Sequence, residues 1–306
     1  MADKIDRKLL RIPIVRNLIR MAKRIKLPGF EGLSLFDLIK SYTVGIIEGT
    51  FSSRASGIAF SFFMALFPFM LFILNLMPYI RIKNFQEEFR FFINELMPAQ
   101  TADFIDPIII DIVANPRGSL LSFTLLLAIF LTTNGVNAIF SGFEYSFHVR
   151  QKRSIFQQYV AALGVSLFLT VVLFISIIAI IFGQYLIITL NNQGMNLNDV
   201  IWINVIRYLL FMVLMYVVIA TLYYFGTKEG KKSRFFSIGA VMTTFFFMVT
   251  TYLFTLYINN FSNYNELYGS IGAMLILMLY IWINSNLLLL GFELNATIYR
   301  LRTRNS

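Results

Sequence analysis

The chain has 306 residues, of which 58% are apolar, 16% aromatic and only 14% charged. Soluble domains carry about a quarter charged residues, so this balance excludes water-soluble globular domains as the main architecture and points to a lipid-embedded chain. The absence of cysteine excludes disulfide frameworks and thiolate metal sites, and the net charge of +10 sits in tails and short loops beside apolar runs, the pattern that orients membrane proteins rather than one that binds nucleic acid.

Residues 1–50 read as a basic amphipathic segment ahead of a membrane domain at 51–306. Ile14, Leu18, Ala22 and Ile25 recur at helical spacing, with Arg16, Arg20, Lys23 and Arg24 on another face. A helix of that kind lies among the headgroups of an anionic leaflet, which makes membrane lipids the expected partner. Pro28 and Gly29 interrupt it, and Ser34 with Asp37 three residues on reads as the start of a second helix. An anchor or packing collar is the plain role; regulation or partner binding is the alternative. The N-terminus has no continuous apolar core of the kind a cleavable signal peptide needs, so the first span is expected to do the targeting.

Six apolar spans follow, at 56–80, 119–147, 158–190, 200–225, 236–260 and 268–299. Each exceeds the roughly 20 residues that cross a hydrocarbon core, and the longest imply tilt or extension beyond the lipid. The connection 81–118 predicts two further helices. Phe85, Phe89, Phe92 and Leu96 form one stripe ending at Pro98, and Phe104, Ile105, Ile108, Ile109 and Ile112 form a second apolar face. The fold class is therefore all-α: a six-span polytopic membrane protein with amphipathic interfacial helices. Lys and Arg crowd the N-terminus, residues 150–153, 228–234 and 300–304, whereas 191–199 and 261–267 have none. That asymmetry places both termini in the cytoplasm and 81–118 outside.

Three stretches stand out together: SRASGIAFSFFMALFPFMLFIL at 53–74, NGVNAIF at 134–140, and YGSIGA followed by LLLLGFELNA between 268 and 296. In this order and at this depth they resemble the YihY/BrkB family of bacterial inner-membrane proteins, over about residues 35–300. The resemblance implies six helical spans and the bacterial cytoplasmic membrane. It also brings old labels, ribonuclease BN and virulence or serum-resistance factor, and a frequent suggestion that members transport a small or lipidic molecule.

The ribonuclease label does not suit the residues. Metal-dependent phosphodiester hydrolysis needs clustered His and carboxylates, and the chain has one histidine, His148, at the end of span two. No phosphate loop and no HExxH spacing occurs. No catalytic residue, metal or cofactor is assigned, and the chain is expected not to be an enzyme.

The candidate polar groups are intramembrane. Asn137 precedes Glu144 by seven residues, as Asn286 precedes Glu293, so each pair shares a helix face. Both glutamates close a Gly-Phe-Glu triplet, which raises an internal duplication against a chance match. One reading makes the glutamates a proton or cation site facing a cavity between spans one, two and six, oriented by the asparagines. The other makes them interfacial ion-pair partners of Arg150 or Arg300. Arg54, at the start of span one, is expected to snorkel or to pair with Glu293 or Glu144. Arg207 lies within span four and either snorkels outward or grips an anionic headgroup. Asn75 and Asn134 are further intramembrane amides, with Gln184, Asn204 and Asn284. Pro68 predicts a kink in span one. Gly269, Ser270, Gly272 and Gly291 suit close helix packing, or a hinge.

The leading expectation is a translocase for a lipidic or amphiphilic molecule or a small solute, not driven by ATP because no Walker-type motif is present. A non-transport scaffold or envelope-integrity factor is the alternative. Self-association is left open.

Overall fold

The structure is a computed structural model; it describes Ser34, Phe36 and residues 50–79, 110–111, 115–146, 149, 151–192, 199–232, 235–260 and 270–305. Most of the 1–50 segment, most of the 81–118 connection, His148, Arg150 and Gly269 lie outside these residues, as do the side chains of Gln184, Asn204, Arg207, Ser270 and Arg300. Ser34 is buried, and Phe36 is helical.

The architecture is all-α. Six helices are each long and apolar enough to cross a bilayer: α1 (Thr50–Leu76), α2 (Gly118–Glu144), α3 (Ile155–Asn192), α4 (Asp199–Gly226), α5 (Ile238–Asn260) and α6 (Ser270–Asn305). α1 starts six residues ahead of the expected span and runs unbroken through Pro68, then gives way to a 3-10 turn at Met77–Tyr79. The lengths of α3 and α6, 38 and 36 residues, exceed the span of the hydrocarbon core, as expected of helices that continue past it.

Several hydroxyls within the helices bond back onto their own helix, although the buried Thr221 hydroxyl has no partner among the described residues. Thr133, Thr244, Ser285 and Thr297 each donate to the carbonyl four residues earlier, over 2.7 to 2.8 Å.

The helices close a ring. α1 packs on α2 and α6, α3 on α2 and α4, and α5 on α4 and α6; α2 also touches α4 and α6. The beginnings of α1, α3 and α5 and the ends of α2, α4 and α6 meet at one end, beside the loops that carry Lys152, Arg153, Lys228 and Lys231. The apolar core lies at this basic end, built from Phe51, Ile58, Ile139, Phe140, Phe143, Ile219, Tyr223, Leu289 and Phe292.

Packing fades away from that end. Phe143, Tyr223 and Phe292 are 0%, 3% and 5% exposed, whereas Leu125, Val205 and Met274 are 39%, 40% and 48% exposed. Each of the latter lies eighteen residues from its counterpart, about five turns along the same face of α2, α4 and α6. Among the described residues the packing is thus tight at the basic end and looser along these three faces toward the other, where Asn75 and Thr124 are still buried.

Candidate functional site

Glycines set the spacing of the packed end. A methyl group on Gly291 would run into the Thr243 and Tyr223 hydroxyls, and one on Gly142 would press on Leu289 and Ile58. Bare backbone at these points lets α2 and α6 approach their neighbours closely. The Phe143 and Phe292 rings then stack face to face, with centroids 4.1 Å apart and planes 9° from parallel. Tyr223 meets both rings edge-on, at 5.6 and 5.9 Å. Its hydroxyl donates to the Leu288 carbonyl at 2.8 Å and bonds Thr243 Oγ1 at 2.7 Å.

A glutamate follows each phenylalanine. Glu293 is 7% exposed. Its Oε2 accepts a 2.6 Å hydrogen bond from the Ser146 hydroxyl, and its charge acts on the Arg54 guanidinium. Arg54 in turn donates Nη1 to the Gly142 carbonyl at 2.8 Å and lies 4.6 Å over the Phe51 ring. A cation at the last turn of α2 complements that helix's negative end.

Glu144 is 6% exposed. Its Oε1 accepts a 3.2 Å bond from the Arg153 backbone N–H. The Arg153 side chain donates to the carbonyls of Phe225 and Gly226, at 2.7 and 3.3 Å, capping the C-terminus of α4. Burial pushes the Arg153 pKa below the ordinary guanidinium value, and Glu144 opposes that shift. Each buried carboxylate therefore has an arginine that also binds the last turn of a neighbouring helix. The two clusters flank the stacked rings and join the ends of α1, α2, α4 and α6 at the basic end.

The expected partners of the glutamates, Arg150 and Arg300, have side chains outside the described residues; the arginines found are Arg153 for Glu144 and Arg54 for Glu293. Asn137 and Asn286 lie two turns deeper. Asn137 accepts from Gln158 Nε2, at 2.9 Å through Oδ1 and 3.3 Å through its carbonyl, and Asn286 donates to the Trp282 carbonyl at 2.8 Å. Asn134 is nine residues from Phe143, so it occupies the opposite face of α2. Asn75 is buried near the far end of α1 and donates to the Leu71 carbonyl at 2.7 Å. Arg207 sits ~28 Å along α4 from Gly226, so its backbone is not at the basic end. Pro68 and Gly272 are buried in α1 and α6.

Sequence reasoning missed Ser146, Arg153, Tyr223 and Thr243 as site residues. Arg153 was legible only as loop charge, and nothing in a run of apolar residues marks which tyrosine faces two phenylalanines. A second seam joins α5 to α6: Asn295 Oδ1 accepts from the Gly239 N–H and Asn295 Nδ2 donates to the Ser237 hydroxyl, both over 2.8 Å.

Fold and site define a multi-pass helical membrane protein whose tight end is held by buried, paired charge. The chain belongs to the family described as virulence factor BrkB, which matches residues 45–306. It is also 27% identical, over 269 residues, to "Putative ribonuclease-like protein YfkH" of Bacillus subtilis (strain 168), covering 87% of this chain and 95% of that one. No solved structure matches.

Proposed function

We propose that this protein is a translocase of the bacterial cytoplasmic membrane that moves a lipidic or amphiphilic molecule, or a small solute, without ATP. The observation that carries the reading is the loss of burial along the inward faces of α2, α4 and α6, from the Phe143–Phe292 stack to Leu125, Val205 and Met274. Helices packed tightly at one end and, among the described residues, more loosely toward the other suit one state of an alternating-access device. The Lys and Arg beside the tight end support a cytoplasmic placement of that end and of both termini, and on that reading this state faces outward. The Glu144–Arg153 and Glu293–Arg54 clusters close the cytoplasmic end. Interacting charges suit a closure that must open, because their strength changes with protonation.

Hydrolysis of RNA is the weaker reading of this site. Each glutamate is engaged by an arginine that is itself anchored to a helix end, an arrangement for closing a bundle rather than for holding a catalytic metal. A non-transport scaffold is the second reading. It is favoured by the hydrogen bond that each buried carboxylate already accepts at the helix ends.

The test is lipid movement in proteoliposomes carrying a leaflet-reporting fluorescent phospholipid. The wild type is expected to accelerate exchange, and Glu144→Gln/Glu293→Gln to lose it. No acceleration by the wild type would remove lipid translocation and favour the scaffold; equal rates in both would remove the glutamates from the mechanism.

A further inference from the structure

The arginines and the lysines of the basic end divide. Arg54 and Arg153 turn inward, one onto the Gly142 carbonyl and the other onto the carbonyls of Phe225 and Gly226. Lys152, Lys228 and Lys231 are exposed, and none of them meets a carboxylate among the described residues. Lys152 Nζ instead lies 4.8 Å over the Tyr145 ring, and Lys231 Nζ lies 5.6 Å over the Phe225 ring. A ring face attracts an ammonium without neutralising it, so both positive charges remain to be balanced from outside the fold.

The two lysines belong to one surface. The Gln151 N–H donates to Glu229 Oε1 at 3.3 Å, which ties the α2–α3 loop to the α4–α5 connection. Arg153 reaches the carbonyl of the same Phe225 whose ring lies under Lys231. Beside Lys152, at the start of α3, Ile155 and Phe156 are 90% and 78% exposed, the highest values among the large apolar side chains described. Unbalanced ammonium groups next to projecting apolar side chains select the partner. A nucleic acid or an acidic peptide would meet the lysines but leave Ile155 and Phe156 in water. A zwitterionic lipid would cover the apolar pair but bring no net charge. An anionic phospholipid does both, because apolar side chains enter the acyl region while lysines stay level with the phosphates.

We propose that this surface binds an anionic phospholipid, with the headgroup charge on Lys152 and Lys231 and the acyl chains along Ile155 and Phe156. The surface lies outside the closure made by Glu144, Glu293 and their arginines, so the site stands whether or not the chain moves lipid. The melting temperature of the detergent-purified protein is followed while phosphatidylglycerol or phosphatidylcholine is added to the micelles. The wild type is expected to be stabilised at lower concentrations of phosphatidylglycerol than of phosphatidylcholine. Lys152→Gln/Lys231→Gln is expected to weaken the phosphatidylglycerol response about twenty-five-fold, about fivefold for each lysine beside an anionic surface, and to leave the phosphatidylcholine response unchanged. Ile155→Ser/Phe156→Ser is expected to weaken both responses. All four replaced side chains are exposed, so the variants are expected to fold. Equal responses of the wild type to the two lipids overturn the proposal, as does a full preference retained by Lys152→Gln/Lys231→Gln. Stabilisation by inorganic phosphate equal to that by phosphatidylglycerol overturns it in favour of a soluble anion.

Discussion

Phe143 and Phe292 stack within 4.1 Å and 9° of parallel, so the two Gly-Phe-Glu triplets of the chain meet at one point of the fold. The stack fixes both following glutamates at the basic end, on either side of an aromatic plug that includes Tyr223. Each glutamate then finds an arginine from another element, Arg54 from α1 or Arg153 from the α2–α3 loop. The closure is therefore a join of several segments, and its parts can be removed one at a time.

Phe292→Ala removes one face of the stack from a fully packed site. The expected loss is about 3–5 kcal/mol, the range for deleting a buried aromatic side chain. Phe292→Leu is expected to lose less. Thermal melting in detergent checks both.

Gly291→Ala places a methyl against the Thr243 and Tyr223 hydroxyls and must push α6 from α5. It is expected to cost about 1–3 kcal/mol. Gly164→Ala in α3 meets nothing within 4 Å, so it is expected to be neutral or to stabilise by up to about 1 kcal/mol through helix propensity. Opposite signs for two Gly→Ala changes in one bundle, read by melting temperature, would establish that close approach rather than glycine content matters.

Glu144→Gln removes the charge that opposes the burial penalty on Arg153. The Arg153 pKa is expected to fall further. Because it still stays protonated at neutral pH, the cost of its charge appears in full and stability drops by about 1–3 kcal/mol, less than for a fully buried pair because Arg153 is partly exposed. Arg153→Gln is expected to be destabilising too, since the ends of α4 lose their cap. The double variant is expected to lose less than the sum, as a double-mutant cycle on melting would reveal.

Tyr223→Phe removes the hydroxyl shared between Leu288 and Thr243 and leaves Thr243 bonded to the Gly239 carbonyl at 2.7 Å. The expected cost is about 0.5–1.5 kcal/mol. A larger loss would mean that this hydroxyl organises the α4–α5–α6 junction beyond its own bonds.

How much of this was legible in the sequence differs by level. Spans were readable because lipid imposes a length and a polarity on each segment that no tertiary contact overrides. Boundaries were less so: α1 starts at Thr50 because Arg54, Ser52 and Ser53 are tolerated at a helix end where charge reaches water or the Gly142 carbonyl. The repeated Gly-Phe-Glu was visible, but that its phenylalanines stack was not, because spacing along two helices does not fix how they cross. Arg153 was read only as loop charge for the same reason. Its partner carbonyls, Phe225 and Gly226, are more than seventy positions away in sequence. Asn137 was visible as an intramembrane amide, but only the packing shows that it meets Gln158.

Translocation of the proposed kind requires a bundle closed at the basic end and reachable by water from the other, and the cysteine-free sequence makes this directly measurable. Ile281 lies on the inward stripe of α6 eleven residues from Phe292, near mid-membrane. With Ile281→Cys as the only thiol, a charged, membrane-impermeant thiol reagent is applied separately to each side of oriented vesicles. Reaction is expected from the side opposite the basic loops and none from the basic side. Reaction from the basic side, or protection from both, would contradict it.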